Sequence, residues 1–140
     1  MDWNKFDRGV FLVNVLAIIY DPETKKILVG HRENDPYIPA ISWTFPGGRP
    51  AYDKDLEEYL KSEVKGKTGL EVEIKRMVFA KTYPEKREFL SIYYHCEVID
   101  GHARAGDTFT EVKWISPMDI KDYFTTSVHP VIENYLYDLK

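Results

Sequence analysis

The sequence predicts a layered α+β or mixed α/β domain: strand-like segments come first, one strong helix sits mid-chain, further strands follow, and a helix closes the chain. Three observations carry this expectation. They are a nearly continuous apolar run from Val10 to Tyr20, a helix-period segment from Asp53 to about Lys65, and a two-residue alternation between Phe89 and Val98. At 140 residues and 44% apolar content, the chain suits one compact domain over 1–140 with a single core.

The run from Val10 to Tyr20 is rich in Val, Ile and Leu, as expected of a strand covered on both faces. Lys5 and Arg8 precede it in the manner of a signal peptide, yet Asn14 interrupts it, no small-x-small cleavage site follows, and it is too short to span a bilayer. Asp21 to Thr24 reads as a turn, and Lys26 to His31 returns as a second strand. A Pro-containing loop from Arg32 to Ala40 leads to a short strand at Ser42 to Phe45, and Pro46-Gly47-Gly48 breaks the pattern as a turn. In the central helix Asp55 and Glu58 form a start signal and Gly69 a stop. Leu56, Tyr59, Leu60 and Glu63 share one sector of its wheel, while Glu57 and Glu58 point away. Strands are expected at about Glu71 to Tyr83, Phe89 to Val98 and Thr108 to Ile115. The middle one sets Leu90, Ile92, Tyr94, Cys96 and Val98 on one face. Ser116-Pro117 begins a short helix, and His129-Pro130 begins the last, with Val131, Ile132, Tyr135 and Leu136 on its apolar side.

Charge and cysteine content narrow the function classes. A net charge of −4, from 19 basic and 23 acidic residues, argues against a sequence-blind nucleic-acid binder, which needs a concentrated basic face. The one cysteine, Cys96, cannot form an internal disulfide and reads as a buried apolar residue in a reducing compartment, the cytoplasm. His31, His95, His102 and His129 show no metal-ligand spacing. Tyr37, Tyr52 and Tyr83 could stack on a flat ligand, but packing is the more frequent role of such rings.

The stretch Trp43-Thr44-Phe45-Pro46-Gly47-Gly48-Arg49, feeding the helix and ending at Gly69-Leu70, carries the chemistry. A Gly-Gly turn between a strand and a helix can offer backbone N–H groups to an anion, although an isolated pair is more often only a turn. The segment resembles the Nudix box, whose pattern is G, five residues, E, seven residues, R-E-U-x-E-E-x-G-U, with U a bulky aliphatic. Placing Gly48 on the first glycine puts Glu63-Val64 on the E-U element and Gly69-Leu70 on the closing G-U without a gap. Leu56, Leu60 and Thr68 suit the box helix; Ile27 to Arg32, Trp43 with Phe45-Pro46, and Glu111 to Pro117 resemble the flanking family elements. The resemblance covers about residues 9–137. It implies an α/β/α sandwich with a central mixed sheet and a Nudix-box helix, and hydrolysis of a nucleoside diphosphate linked to another group, with Mg²⁺ or Mn²⁺ and an activated water.

The departures fall on the residues of that chemistry. Lys54 stands at the first glutamate, Ser62 at the arginine, and Gly66-Lys67 at the adjacent glutamate pair, so Glu63 alone remains of the carboxylates that the resemblance assigns to metal. These ions favour oxygen ligands with compensating carboxylate charge, and an ammonium one helical turn from Glu63 opposes that. Lys67 has two readings, an i,i+4 ion pair with Glu63 or a cation that holds a ligand phosphate directly. Gly66 weakens the helix, and the last turn is expected to fray before Gly69.

The expected function is therefore a binding protein for a nucleotide-like, phosphate-containing small molecule, with Gly47, Gly48, Arg49 and Lys67 at the phosphate and hydrolysis lost or strongly impaired. A rebuilt hydrolase, with Glu63 and Glu111 as catalytic residues and Glu63 on a Mg²⁺ or Mn²⁺ ion, is the alternative; Asp107 has a smaller claim. Without that alternative no cofactor is required. A protein–protein module is the third reading, and a homodimer is left open. Neither nucleic acid nor a membrane is an expected partner.

Overall fold

The computed structural model describes residues 9–33, 42–83, 86–124 and 128–139. The anticipated loop from Arg32 to Ala40 therefore lies mostly outside the described residues, as does Tyr37. β1 (Leu12–Asp21) and β2 (Lys26–His31) are joined by a turn in which the Asp21 carboxylate accepts from the Glu23 N–H and the Thr24 hydroxyl at 2.9 and 3.0 Å. β3 (Trp43–Thr44) and β4 (Gly47–Gly48) precede α1 (Leu56–Thr68). β5 (Glu71–Tyr83), β6 (Lys86–Asp100) and β7 (Glu111–Ile115) follow. A 3₁₀ turn at Pro117–Asp119 then runs into the short α2 (Ile120–Tyr123), and α3 (Pro130–Tyr137) closes the fold.

The described strands form a seven-stranded mixed sheet in the order β3-β2-β1-β6-β5, with β4 added to β1 and β7 to β2. β1 runs parallel to β6 from Leu12↔Phe89 to Ile19↔Cys96 and antiparallel to both β2 and β4. Cover on both faces of the sheet explains its continuous apolar run: Val15, Ala17, Ile18 and Ile19 have no solvent exposure. The strand begins at Leu12 rather than Val10, and Val10 and Phe11 are more than half exposed.

The single core expected from composition is two, one on each face of the sheet. Val15, Ala17, Ile19, Leu28, Tyr94 and Cys96 pack under Leu60 and Val64 of α1. On the reverse face Ile18, Tyr20, Ile27, Val29 and Tyr93 pack under Ile120 of α2 and Ile132 and Leu136 of α3. Alternation along each strand thus serves two helix layers, and the α/β/α sandwich implied by the resemblance is the observed architecture. Among the described residues no helix is long and apolar enough to cross a membrane.

α1 starts and stops where the sequence signals stand. Asp55 caps its N-terminus through a 3.0 Å bond from the Glu58 N–H, and Gly69, at φ 76°, ends it in the left-handed conformation. The fraying expected at Gly66 does not occur. The carbonyls of Lys67 and Thr68 accept from the N–H groups of Gly106 and Arg104, at 3.0 and 2.8 Å. A Cβ on Gly66 would meet the Asp107 carboxylate at 2.2 Å, so this glycine admits the 101–109 loop that ties down the helix end. That loop also delays the last strand. Asp107 turns at φ 46°, Phe109 folds back to bond Gly106, and β7 begins at Glu111 instead of Thr108. Tyr52 is fully exposed, so packing does not explain that ring.

α3 is held to the sheet by polar contacts as well as by its apolar side. The Tyr135 hydroxyl lies 2.7 Å from His95 Nδ1 on β6 and accepts from the Arg76 guanidinium on β5, also at 2.7 Å. Burial first, then the charge of Arg76, lowers the pKa of His95 below the usual histidine range, against the opposing pull of Glu97. The folded state therefore takes up the His95 proton less readily than the unfolded chain. Stability is retained above about pH 6.5, where the imidazole is neutral in both states, and falls as pH drops below it. Urea unfolding of the wild type at pH 7.5 and 5.5 is expected to show a lower midpoint at pH 5.5, with a smaller drop in His95→Gln.

A lysine-centred site between strand and helix

Three residues of α1 spaced four apart, Tyr59, Glu63 and Lys67, form a stripe that faces β4. The Tyr59 hydroxyl donates to Glu63 Oε1 at 2.7 Å, and the Lys67 ammonium lies 3.9 Å from the same oxygen. Lys67 Nζ also donates to the Gly47 carbonyl. Lys67 is only 8% exposed, so these contacts hold a nearly desolvated ammonium. The Phe109 ring covers it further, 5.9 Å from Nζ to the ring centroid.

The Gly47-Gly48 pair is a strand rather than a turn open to an anion. It pairs with β1 as Leu16↔Gly47 and Val15↔Gly48, and the preceding Pro46 carbonyl accepts from the Ala17 N–H at 2.8 Å. The glycines are required by close approach. A Cβ on Gly47 would stand 2.0 Å from the Val15 carbonyl oxygen, and one on Gly48 would stand 2.5 Å from the Tyr59 hydroxyl and 2.6 Å from Glu63 Oε1. The same absence of side chains lets Glu63 and Lys67 reach the strand backbone.

The structure thus brings together Gly47, Gly48, Glu63 and Lys67, with the exposed Arg49 at the rim, where its positive charge is felt by Tyr59. Burial is the largest cause of an upward shift in the Tyr59 pKa, followed by its bond to Glu63 and the charge of that carboxylate, so the phenol remains a donor. Lys54 is exposed in the turn before α1, and Ser62 is exposed on the outer side of the helix.

Glu111 is not brought to Glu63. It stands opposite His31 at the start of β7, two residues before Lys113, which lies over the Tyr123 ring, and four before the buried Ile115 of the α2–α3 core. Val112 and Trp114 instead pack with the α1 core, so alternation sets Glu111 on the face opposite to α1. Asp107 lies against Gly66, one turn from Glu63 on the helix. Among the described residues, no group of three or more His, Cys, Asp or Glu side chains stands close enough to hold a metal ion. Tyr59 and Phe109 are the members of the site that sequence reasoning missed. Only the four-residue step from Tyr59 to Glu63 could have indicated the first, and nothing local indicated the second. Cys96 is buried in the α1 core with its thiol pushed up to about 12, chiefly by burial.

The NUDIX domain model matches residues 10–135 of this chain. Similar solved structures include the MutT protein of Methanosarcina mazei Go1, with TM-score 0.75 and 18% identity over 94% of both chains. A NUDIX hydrolase from Nitrosomonas europaea aligns with TM-score 0.71 and 19% identity over 93% of this chain and 72% of its own. An ADP-ribose pyrophosphatase from Streptococcus suis 89-1591 aligns with TM-score 0.62 and 20% identity over 91% and 86%. At these identities the structural likeness concerns the fold. No match is found among curated proteins.

The two glycines are expected to differ in sensitivity. Gly47→Ala, which drives a methyl group into strand backbone, should destabilise the protein by about 2 kcal/mol or more. Gly48→Ala meets only side-chain ends that can shift and should cost less. Chemical denaturation of both variants checks this, and equal losses would contradict the packing argument.

Proposed function

The chain belongs to the NUDIX domain family, and on that premise we propose that it binds a phosphate-containing ligand of nucleoside-diphosphate type and has lost, or nearly lost, the hydrolytic step. The observation that carries this reading is the Lys67 ammonium, set between Gly47 and Glu63 at a position where the family resemblance expects a metal-binding carboxylate. Lys67 and Arg49 supply positive charge beside the strand–helix junction, which is the charge a diphosphate needs. The family's Mg²⁺ or Mn²⁺ does not fit this donor set. Glu63 is the only family carboxylate left, its Oε1 already accepts from Tyr59, and an ammonium lies 3.9 Å from it. A unit charge at ~4 Å from a like charge costs about 4 kcal/mol at a surface-like dielectric, and roughly twice that against a divalent ion. Phosphate oxygens of a ligand could offset part of this, but they would be acting without the carboxylates that normally share the ion.

The ligand class is supported by the family and, as an analogy only, by the ADP-ribose pyrophosphatase whose fold this chain shares. A cytoplasmic, reducing setting agrees with the single buried cysteine.

The direct test is a titration of purified protein with Mg²⁺ and Mn²⁺, then with ADP-ribose, a nucleotide sugar and a nucleoside triphosphate, with released product measured in the same samples. Nucleotide binding without metal uptake or turnover is the expected result. Lys67→Glu should raise Mn²⁺ affinity at least tenfold, by exchanging a repelling charge for a ligand. Metal-dependent turnover in the wild type that vanishes in Glu63→Gln would overturn the proposal.

A further inference from the structure

A phosphate oxygen can bond the Lys67 ammonium only if it can reach it, and at 8% exposure this lysine is nearly closed to solvent. Two of the groups that close it off are fixed by the fold. The Gly47 carbonyl belongs to a strand paired with β1, and Glu63 stands on α1, whose last carbonyls are bonded to the 101–109 loop. A third is the Phe109 ring, with its centroid 5.9 Å from Nζ.

Phe109 is buried apart from both cores. It is 5% exposed, yet it is a member of neither the α1 core nor the α2–α3 core. Its neighbours Asp107, Thr108 and Thr110 are all exposed. The chain is pinned on either side of it. The Gly106 N–H donates to the Lys67 carbonyl at 3.0 Å, and the Thr110 N–H donates to the His31 carbonyl at 2.8 Å. Between these anchors the span from Asp107 to Phe109 buries one side chain, and that side chain lies against Lys67.

The sheet supplies an independent observation. Gly30 follows Leu28 of the α1 core by two residues on β2 and so opens onto the same face. A Cβ on Gly30 would overlap the Phe109 ring, whose atoms are its three nearest neighbours. The backbone of Gly30 is not left-handed, so close approach is what calls for glycine at this position. β2 thus offers a bare seat for the ring beside the lysine. An ammonium binds a phosphate oxygen more strongly than the face of a ring, so a diphosphate can replace the contact that Phe109 gives up.

We propose that Phe109 is a removable cover on the Lys67 site. When closed, the ring is seated on Gly30 over the ammonium, and it leaves that seat to admit a diphosphate while the anchors at Gly106 and Thr110 stay bonded. The role of the opening rests on the reading of Lys67 as a phosphate-binding cation. The closed state lowers the apparent affinity in proportion to its population, so the cover sets how much ligand the site requires.

Reductive methylation of the full chain, followed lysine by lysine with mass spectrometry, tests the cover without any ligand. In the wild type Lys67 should react at least tenfold more slowly than the exposed Lys61. Two variants open the site by different routes: Phe109→Ala removes the ring, and Gly30→Ala unseats it. In both, Lys67 should react at least fivefold faster than in the wild type, with Lys61 unchanged. Calorimetric titration with ADP and with inorganic pyrophosphate should show both variants binding at least fivefold more tightly, because the closed state no longer competes. The proposal is overturned if Lys67 reacts no faster in a folded variant, or if the wild type binds these ligands as tightly as the variants do. It is equally overturned if Phe109→Ala no longer folds, because the ring would then be serving the fold. Faster labelling in both variants, with neither ligand bound by any of the three proteins, would uphold the cover and overturn the phosphate reading of Lys67 instead.

Discussion

Val15, Ala17, Ile18 and Ile19 are shut off from water on both faces of the sheet, so the backbone of this stretch must find its hydrogen-bond partners within the protein. β6 supplies them along one edge; β4 and the start of β2 share the other. This requirement organises the rest of the molecule. Because β4 must lie against β1, the chain passes at close range through two glycines, and because β4 is bare of side chains, α1 can settle on it. The same strand, two residues beyond Ile18, carries Tyr20 into the core beneath α2 and α3.

At the candidate site the decisive physical fact is where the Lys67 ammonium sits. In water it would be a surface charge worth a few tenths of a kcal/mol to the helix through Glu63. Against β4 it is largely desolvated and held by a carboxylate, a backbone carbonyl and the nearby Phe109 ring. Removing either polar partner from such a charge costs several times more, because the other is left inadequately compensated. The i,i+4 pair and the role of a fixed cation, weighed as alternatives from sequence, are compatible in this geometry: the pair with Glu63 also anchors the charge beside the strand.

The 101–109 loop shows how a local weakness is offset by tertiary contact. Gly66 lowers the intrinsic stability of the last turn of α1, yet the turn is complete to Thr68 because Gly106 and Arg104 bond its last carbonyls. Gly66 and Gly106 form a matched close approach, since a Cβ on Gly106 would stand 2.4 Å from the Gly66 carbonyl oxygen. The helix end that carries Lys67 is thereby bonded to the loop, which also delivers Phe109 over the lysine.

Much of this fold is legible in the sequence, because hydrophobic period, caps and turn residues act locally. The bounds of β2, the Asp55 cap and the Gly69 stop follow from neighbouring residues alone. The identity of the box residues was equally plain: one carboxylate at Glu63, and glycine and lysine in place of a glutamate pair. Sequence could not tell that Gly47-Gly48 is a strand, because its partner lies some thirty residues earlier. Nor could it tell that Glu111 faces away from Glu63, since that depends on which face of β7 meets α1. The burial of Tyr20 depends in the same way on packing between β1, β6 and α3, which brings together residues more than a hundred positions apart. What the chain determined by itself was the kind of elements and the chemistry available to them. Which of those groups meet, and which are shut away from water, was decided only when two helix layers closed on the sheet, because burial and charge pairing belong to neighbours in space.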